Sequence, residues 1–123
     1  MNHLTYVDGF VIPVAKEHLE AYKEHACEAG KIWMEYGALA YNEGVGEDLA
    51  AGEQTLSFLK MADCADNETV IFAWVVYRDR AHRDKVNAKV MADPRIQKMC
   101  VTCSELFDPN RMAYGGFQSF FTT

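Results

Sequence analysis

The chain has little of what several function classes need. Basic charge is short: 12 Lys and Arg stand against 18 Asp and Glu, for a net charge of −6. Phosphate binding needs clustered cations, and here Arg78, Arg80, Arg83, Lys85 and Lys89 are interleaved with Asp79 and Asp84. That pattern reads as a solvated helix face, so nucleic acid is excluded as a partner. Long apolar runs are missing. The longest, Val70 to Tyr77, is eight residues, far too short to span a membrane. No positively charged stretch followed by an apolar run opens the sequence, which makes the cytoplasm the expected location. Only three residues are proline and no tract of proline, glycine or serine interrupts the chain. One domain over residues 1–123 is therefore expected.

Cysteine is present but poorly placed for chemistry. Cys100-x-x-Cys103 has redox or metal half-site spacing. Both sulfurs fall on the apolar stripe of Ile96 and Met99, late in a helix, where no N-terminal dipole lowers a thiol pKa. No second such pair and no histidine at zinc spacing accompanies it, so no metal is expected. A phosphate loop, a dinucleotide fingerprint, a nucleophile elbow and HExxH are all lacking. That argues against NTPases, Rossmann enzymes, serine hydrolases and zinc proteases, and no cofactor is expected.

What is present is strong periodicity. Thr5 to Val14 is rich in β-formers and predicts a first strand ending near Pro13. Lys16 to Tyr36 predicts a long helix, with Leu19, Tyr22, Ala26, Ala29, Trp33 and Tyr36 on one stripe and Gly37 as C-cap. Gly30 sits inside it, at a cost that close packing on a sheet would explain. Leu39 to Val45 reads as a second strand, Gly46 to Thr55 as a loop, and Ser57 to Asp63 as a short helix. Asp66 to Glu68 is a turn before the strongest strand, Thr69 to Tyr77. Asp79 caps a helix running to about Met91, and Asp93-Pro94 starts another. Arg111 to Phe121 is the last strand. The order β-α-β-β-α-β, with one extra short helix, predicts an α+β fold of ferredoxin-like topology, with helices on one face of a four-stranded antiparallel sheet.

Alternate residues then describe the two faces of that sheet. Tyr6, Asp8, Phe10 and Ile12 oppose Val7, Gly9 and Val11; Val70, Phe72, Trp74 and Val76 oppose Ile71, Ala73, Val75 and Tyr77. In the last strand Met112, Tyr114 and Gly116 oppose Ala113, Gly115 and Phe117. Neither face is polar, and the helices cover only one. Covering the other with a second copy, sheet against sheet, is the economical solution. Folding the 46–67 loop over it is the alternative.

Asp8 is the most informative position: a carboxylate between Tyr6 and Phe10 on one strand face must be paired, protonated or wetted by a cavity. It is a candidate acid, base or ligand anchor; the more ordinary reading is a satisfied buried aspartate, bonded to a helix residue or to a dimer partner. His82 shares a helix stripe with Val86 and Val90 and is a second candidate. Trp74, Phe72 and Tyr114 are candidate aromatic walls beside Asp8: if they face the helices they suit a flat ligand, and if they face a partner sheet they are interface core. Arg80 and Arg83 offer anchors for an anionic ligand, with Asn87 nearby. Each of these has an ordinary reading as packed core or exposed helix surface.

Taken together, YVDGFVIPV, KIWMEYGAL, ETVIFAWVVY, RAHRDKVNAKVMADPR at 80–95 and RMAYGGF at 111–117 resemble the YbaA-like proteins, a bacterial family of unknown function. The resemblance runs over nearly the whole chain and is most specific at 80–95. It implies a dimeric α/β barrel, two such sheets packed as a homodimer, with a pocket between sheet and helices. The superfamily it implies includes cofactor-free monooxygenases, isomerases, haem-degrading enzymes and ligand-sensing domains, so fold analogy assigns no reaction. Two readings stand. One is a cofactor-free enzyme acting on a small aromatic or enolisable metabolite, with Asp8 or His82 as base. The other is a non-catalytic ligand-binding or stress-related accessory dimer.

Overall fold

The computed structural model describes residues 4–123. β1 (Tyr6–Ala15) is followed by a 3-10 turn (Lys16–His18) and helix α1 (Leu19–Glu35). Then come β2 (Ala40–Val45), the short helix α2 (Phe58–Met61) and β3 (Glu68–Tyr77). α3 (Arg80–Ala92), α4 (Pro94–Cys103) and β4 (Ala113–Gln118) complete the chain. The strands form one antiparallel sheet in the order β2-β3-β1-β4. This is the predicted ferredoxin-like arrangement, with elements within a few residues of their expected bounds.

Pro13 does not end β1. It pairs with Val70 on β3. β4 reaches only as far as Val11, opposite Ala113. On that side β1 is an edge at Pro13, so its missing N–H costs no ladder bond.

Local chemistry sets the helix ends. The Asp79 side chain accepts the His82 N–H at the start of α3, and Asp93 accepts the Arg95 N–H at the start of α4. Gly37, at φ +106°, takes the left-handed conformation that ends α1. Asp93 also accepts from the Tyr36 hydroxyl at 2.7 Å, which ties the end of α1 to the α3–α4 corner.

α1 and α3 cover one face of the sheet. Ala29 and Ile32 of α1, Val86 and Val90 of α3, and Val75 and Tyr77 of β3 form one part of the core. Tyr22 and Ala26 pack with Ile12, Val14, Ile71 and Ala73 in the other. The opposite face is open. Phe72 remains 46% exposed and Phe117 63%. The 46–67 segment lies over part of this face: Phe58 of α2 meets Phe72 with ring centroids 6.1 Å apart, and Pro13 and Val70, on the same face, are buried.

Gly30 has the role its position suggested. A Cβ there would stand 2.8 Å from the Tyr41 ring of β2. That ring is fixed by its hydroxyl on Glu43 at 2.6 Å and by Trp33, 5.9 Å away between centroids. Gly30→Ala gains about 1 kcal/mol of helix propensity but overpacks a confined ring, which costs about 1–3 kcal/mol. The variant is expected to lose about 1 kcal/mol net, read as a lower urea midpoint with an unchanged slope.

Candidate functional site

The covered face carries the polar residues. Register places Asp8 opposite Val75 on β3 and Gly116 on β4, and Phe10 opposite Ala73 and Tyr114. Directly opposed residues of antiparallel strands share a face, so Asp8, Phe10 and Tyr114 stand together beneath the helices. Phe10 and Tyr114 stack with centroids 4.9 Å apart.

Asp8 is 1% exposed. Arg83, reaching down from α3, donates to its Oδ1 at 2.6 Å. The same nitrogen donates to the Tyr114 oxygen at 3.1 Å, and the Tyr114 hydroxyl donates to Asp8 Oδ2 at 3.3 Å. Asn87 Nδ2 stands 3.5 Å from Oδ2. One carboxylate oxygen is thus firmly held and the other loosely. Behind Asn87, its Oδ1 accepts from the Tyr77 hydroxyl at 3.1 Å and from Trp33 Nε1 at 3.2 Å. Among the described residues, no buried side-chain nitrogen or oxygen lacks a partner.

The electrostatics follow from this packing. Burial and then the charge of Asp8 push the Tyr77 and Tyr114 phenols above their usual range, so both remain donors. Arg83 is held charged by its bond to Asp84 and by Asp8, against the effect of burial. Its guanidinium also lies 5.0 Å over the Tyr6 ring.

Asp8 lines a cavity of about 460 Å3 between the sheet and the helices. Its floor includes Phe10, Ile12, Ala73 and Val75, and its roof includes Ala29 and Trp33 of α1 and Ile96 and Met99 of α4. The size and apolar lining suit a small organic molecule. A second polar group lies in the same wall. Glu43 of β2 accepts from Tyr22 at 2.5 Å and from Tyr41 at 2.6 Å.

The structure brings together Asp8 and Tyr114, and it adds Arg83 and Asn87. It does not bring in Trp74 or His82. Trp74 pairs with Gly9, and so belongs with Phe72 on the open face. His82 does face inward beside Val86 and Val90. Its ring, however, is spent on packing: Nδ1 accepts the Arg78 N–H at 3.0 Å and its edge meets Tyr77. It does not line the cavity. Arg80 remains exposed. Cys100 and Cys103 line the cavity, but burial pushes the Cys103 thiol up, away from a reactive thiolate. Among the described residues no group of three or more His, Cys, Asp or Glu side chains is disposed to hold a metal ion.

The sequence reading missed Glu43, Tyr22, Trp33 and Tyr77 as polar members of the site. The signal for Glu43 was available, because Tyr41, Glu43 and Val45 alternate onto one face of β2, as Asp8 does on β1.

Comparison with known proteins agrees with this architecture. SnoaB, a cofactor-independent oxygenase from Streptomyces nogalater, superposes with a TM-score of 0.55 at 15% identity, over 97% of this chain and 94% of that one. A dimeric ferredoxin-like protein from an uncultured marine organism superposes at 0.57 and 9% identity, over 97% and 99%. At such identities the likeness is one of fold. In sequence, the chain is 38% identical over 116 residues to the uncharacterized protein YbaA of Escherichia coli (strain K12), covering 94% of this chain and 97% of that protein. The family model described as "Protein of unknown function (DUF1428)" matches residues 5–109, and the chain belongs to that family.

Proposed function

We propose that this chain is a cofactor-free enzyme that takes a proton from a flat, enolisable small molecule bound between the sheet and the helices. The observation that carries the reading is Asp8: a buried carboxylate in the wall of an apolar cavity, with one oxygen only loosely held. In this reading Oδ2 accepts a proton from carbon or oxygen beside a carbonyl. Arg83 keeps Asp8 in position through Oδ1. Tyr114 turns its O–H from Oδ2 to the developing enolate oxygen, while Arg83 continues to donate to the phenol oxygen. Returning the proton at another atom completes an isomerisation with no further reactant. An oxygenase would instead spend the electron pair of the same enolate on dioxygen. The fold likeness to SnoaB supports this reading.

The Arg83 ion pair favours a second reading, in which Asp8 only anchors a ligand and no turnover occurs. Exchange of substrate C–H for deuterium separates the two. The wild-type chain is expected to catalyse exchange into planar enolisable ketones in D2O, followed by NMR. Asp8→Asn should retain thermal stabilisation by the same compounds and lose about 100-fold or more in exchange rate. Ligands that bind wild type without exchange, or exchange unaffected by Asp8→Asn, contradict the catalytic reading.

The open face supports a homodimer. Phe72, Trp74 and Phe117 share it with Val7, Val11 and Val76, and a second sheet would remove this apolar surface from water. Among the described residues no helix is long and apolar enough to cross a membrane. Four free cysteines suit the reducing cytoplasm, where we place the chain. Sedimentation is expected to show a dimer for wild type and a monomer for Trp74→Glu; a monomeric wild type would refute the pairing.

A further inference from the structure

The cavity has two polar ends, and they differ in kind. β3 separates β2 from β1, and Glu43 lies opposite Ala73 while Asp8 lies opposite Val75, so the backbones that carry them stand two strand spacings across and two residues along, about 12 Å apart. Ala73 and Val75 form the floor between them. At the Asp8 end, Arg83 compensates the carboxylate, and Tyr114 and Asn87 supply donors.

At the Glu43 end no described residue gives the carboxylate a cationic partner, and its two phenols have no hydrogen to spare. Among the described residues no Lys, Arg or His forms an ion pair with Glu43. Lys23 and Lys31, which border the outer cleft beside it, pair with Glu20 and Glu28. His25 lines the cavity, but burial lowers its pKa more than Glu43 raises it, so at neutral pH it adds no charge. Each phenol has a single hydrogen, and both Tyr22 and Tyr41 give theirs to the carboxylate. Burial and the charge of Glu43 push both phenols up, so they stay protonated. What these three side chains leave for a ligand is lone pairs only.

We propose that Glu43, with Tyr22 and Tyr41, is the specificity-determining end of the cavity and takes the hydrogen-bond-donating end, a hydroxyl or N–H, of a planar ligand. This rests on the ligand-cavity reading given above and adds an orientation to it. The donor end of the ligand points to β2 and its carbonyl end to Asp8. A ligand with a carboxylate at the β2 end is rejected by like charge, and one with an ether there adds no donor to the two phenols that Glu43 already has. Glu43 borders both the inner cavity and the outer cleft between α1 and β2. It therefore meets a ligand that enters by that cleft.

The test uses the full chain and three probes of one skeleton: 2-naphthol, 2-methoxynaphthalene and 2-naphthoate, titrated by calorimetry. Wild type is expected to bind the naphthol about tenfold tighter than the ether, the worth of one satisfied hydrogen bond, and the naphthoate weakest. In Glu43→Gln, checked for folding by its thermal transition, the preference for hydroxyl should fall below about threefold, because the amide offers donors of its own. The wild-type comparison stands by itself if that variant does not fold. Equal binding of naphthol and ether, tightest binding of naphthoate, no binding of any probe at about 1 mM, or a preference that survives Glu43→Gln would each overturn the proposal. A hydroxyl preference without deuterium exchange would refute catalysis and leave this site intact. Asp8-dependent exchange without the preference would do the reverse.

Discussion

A carboxylate in the middle of a central strand must be answered from somewhere, and here one guanidinium answers its charge, with Tyr114 and Asn87 as weaker donors. Asp8 lies beneath the helices on β1, and Arg83 reaches it from the first turns of α3 at 2.6 Å. The two partners are not equivalent. Arg83 retains some exposure, a bond to Asp84 and the face of Tyr6. Asp8 is 1% exposed and, among the described residues, has no second cation to turn to. Removing the arginine strands a buried charge, whereas neutralising the aspartate leaves the arginine other partners. The contact that fixes α3 on the sheet is also the contact that holds Asp8 at the end of the cavity.

From that pair a chain of polar contacts runs across the molecule. Trp33 of α1, Tyr77 of β3 and Asn87 of α3 are bonded to one another, and Asn87 faces Asp8 of β1. Buried polar networks impose geometry more than they add stability. This one fixes how both helices sit over the sheet, and so sets the shape of the space between them. The cavity lies where the small floor residues Ala73 and Val75 meet the helices. The other face carries the exposed apolar side chains Phe72 and Phe117. The two faces therefore suit different partners: a small molecule on one and a protein surface on the other.

Much of this was legible in the sequence. The element order, the Asp79 and Asp93 caps and the doubly apolar β3 follow from local patterns, because caps and strand alternation are local properties. Asp8 stood out for the same reason. What the sequence did not disclose is register. Whether Trp74 or Val75 lies beside Asp8 depends on which residues of two strands pair, and a shift of one residue exchanges the faces. Of the two placements open to Trp74, register selects the face away from Asp8. His82 was read to the correct face, but its ring closes a local contact with the Arg78 N–H that periodicity does not reveal. Glu43 was overlooked because β2 is short and half-exposed, so its alternation carries less contrast than that of β1.

The buried Asp8–Arg83 pair holds the site together, and a double-mutant cycle in urea measures it. Arg83→Met should lower stability by about 3 kcal/mol in the wild-type background. In the Asp8→Asn background, where no charge is left stranded, most of that loss should disappear, giving a coupling of about 2 kcal/mol. If Arg83→Met costs the same in both backgrounds, Asp8 does not depend on Arg83, and the site described here is not held together in this way.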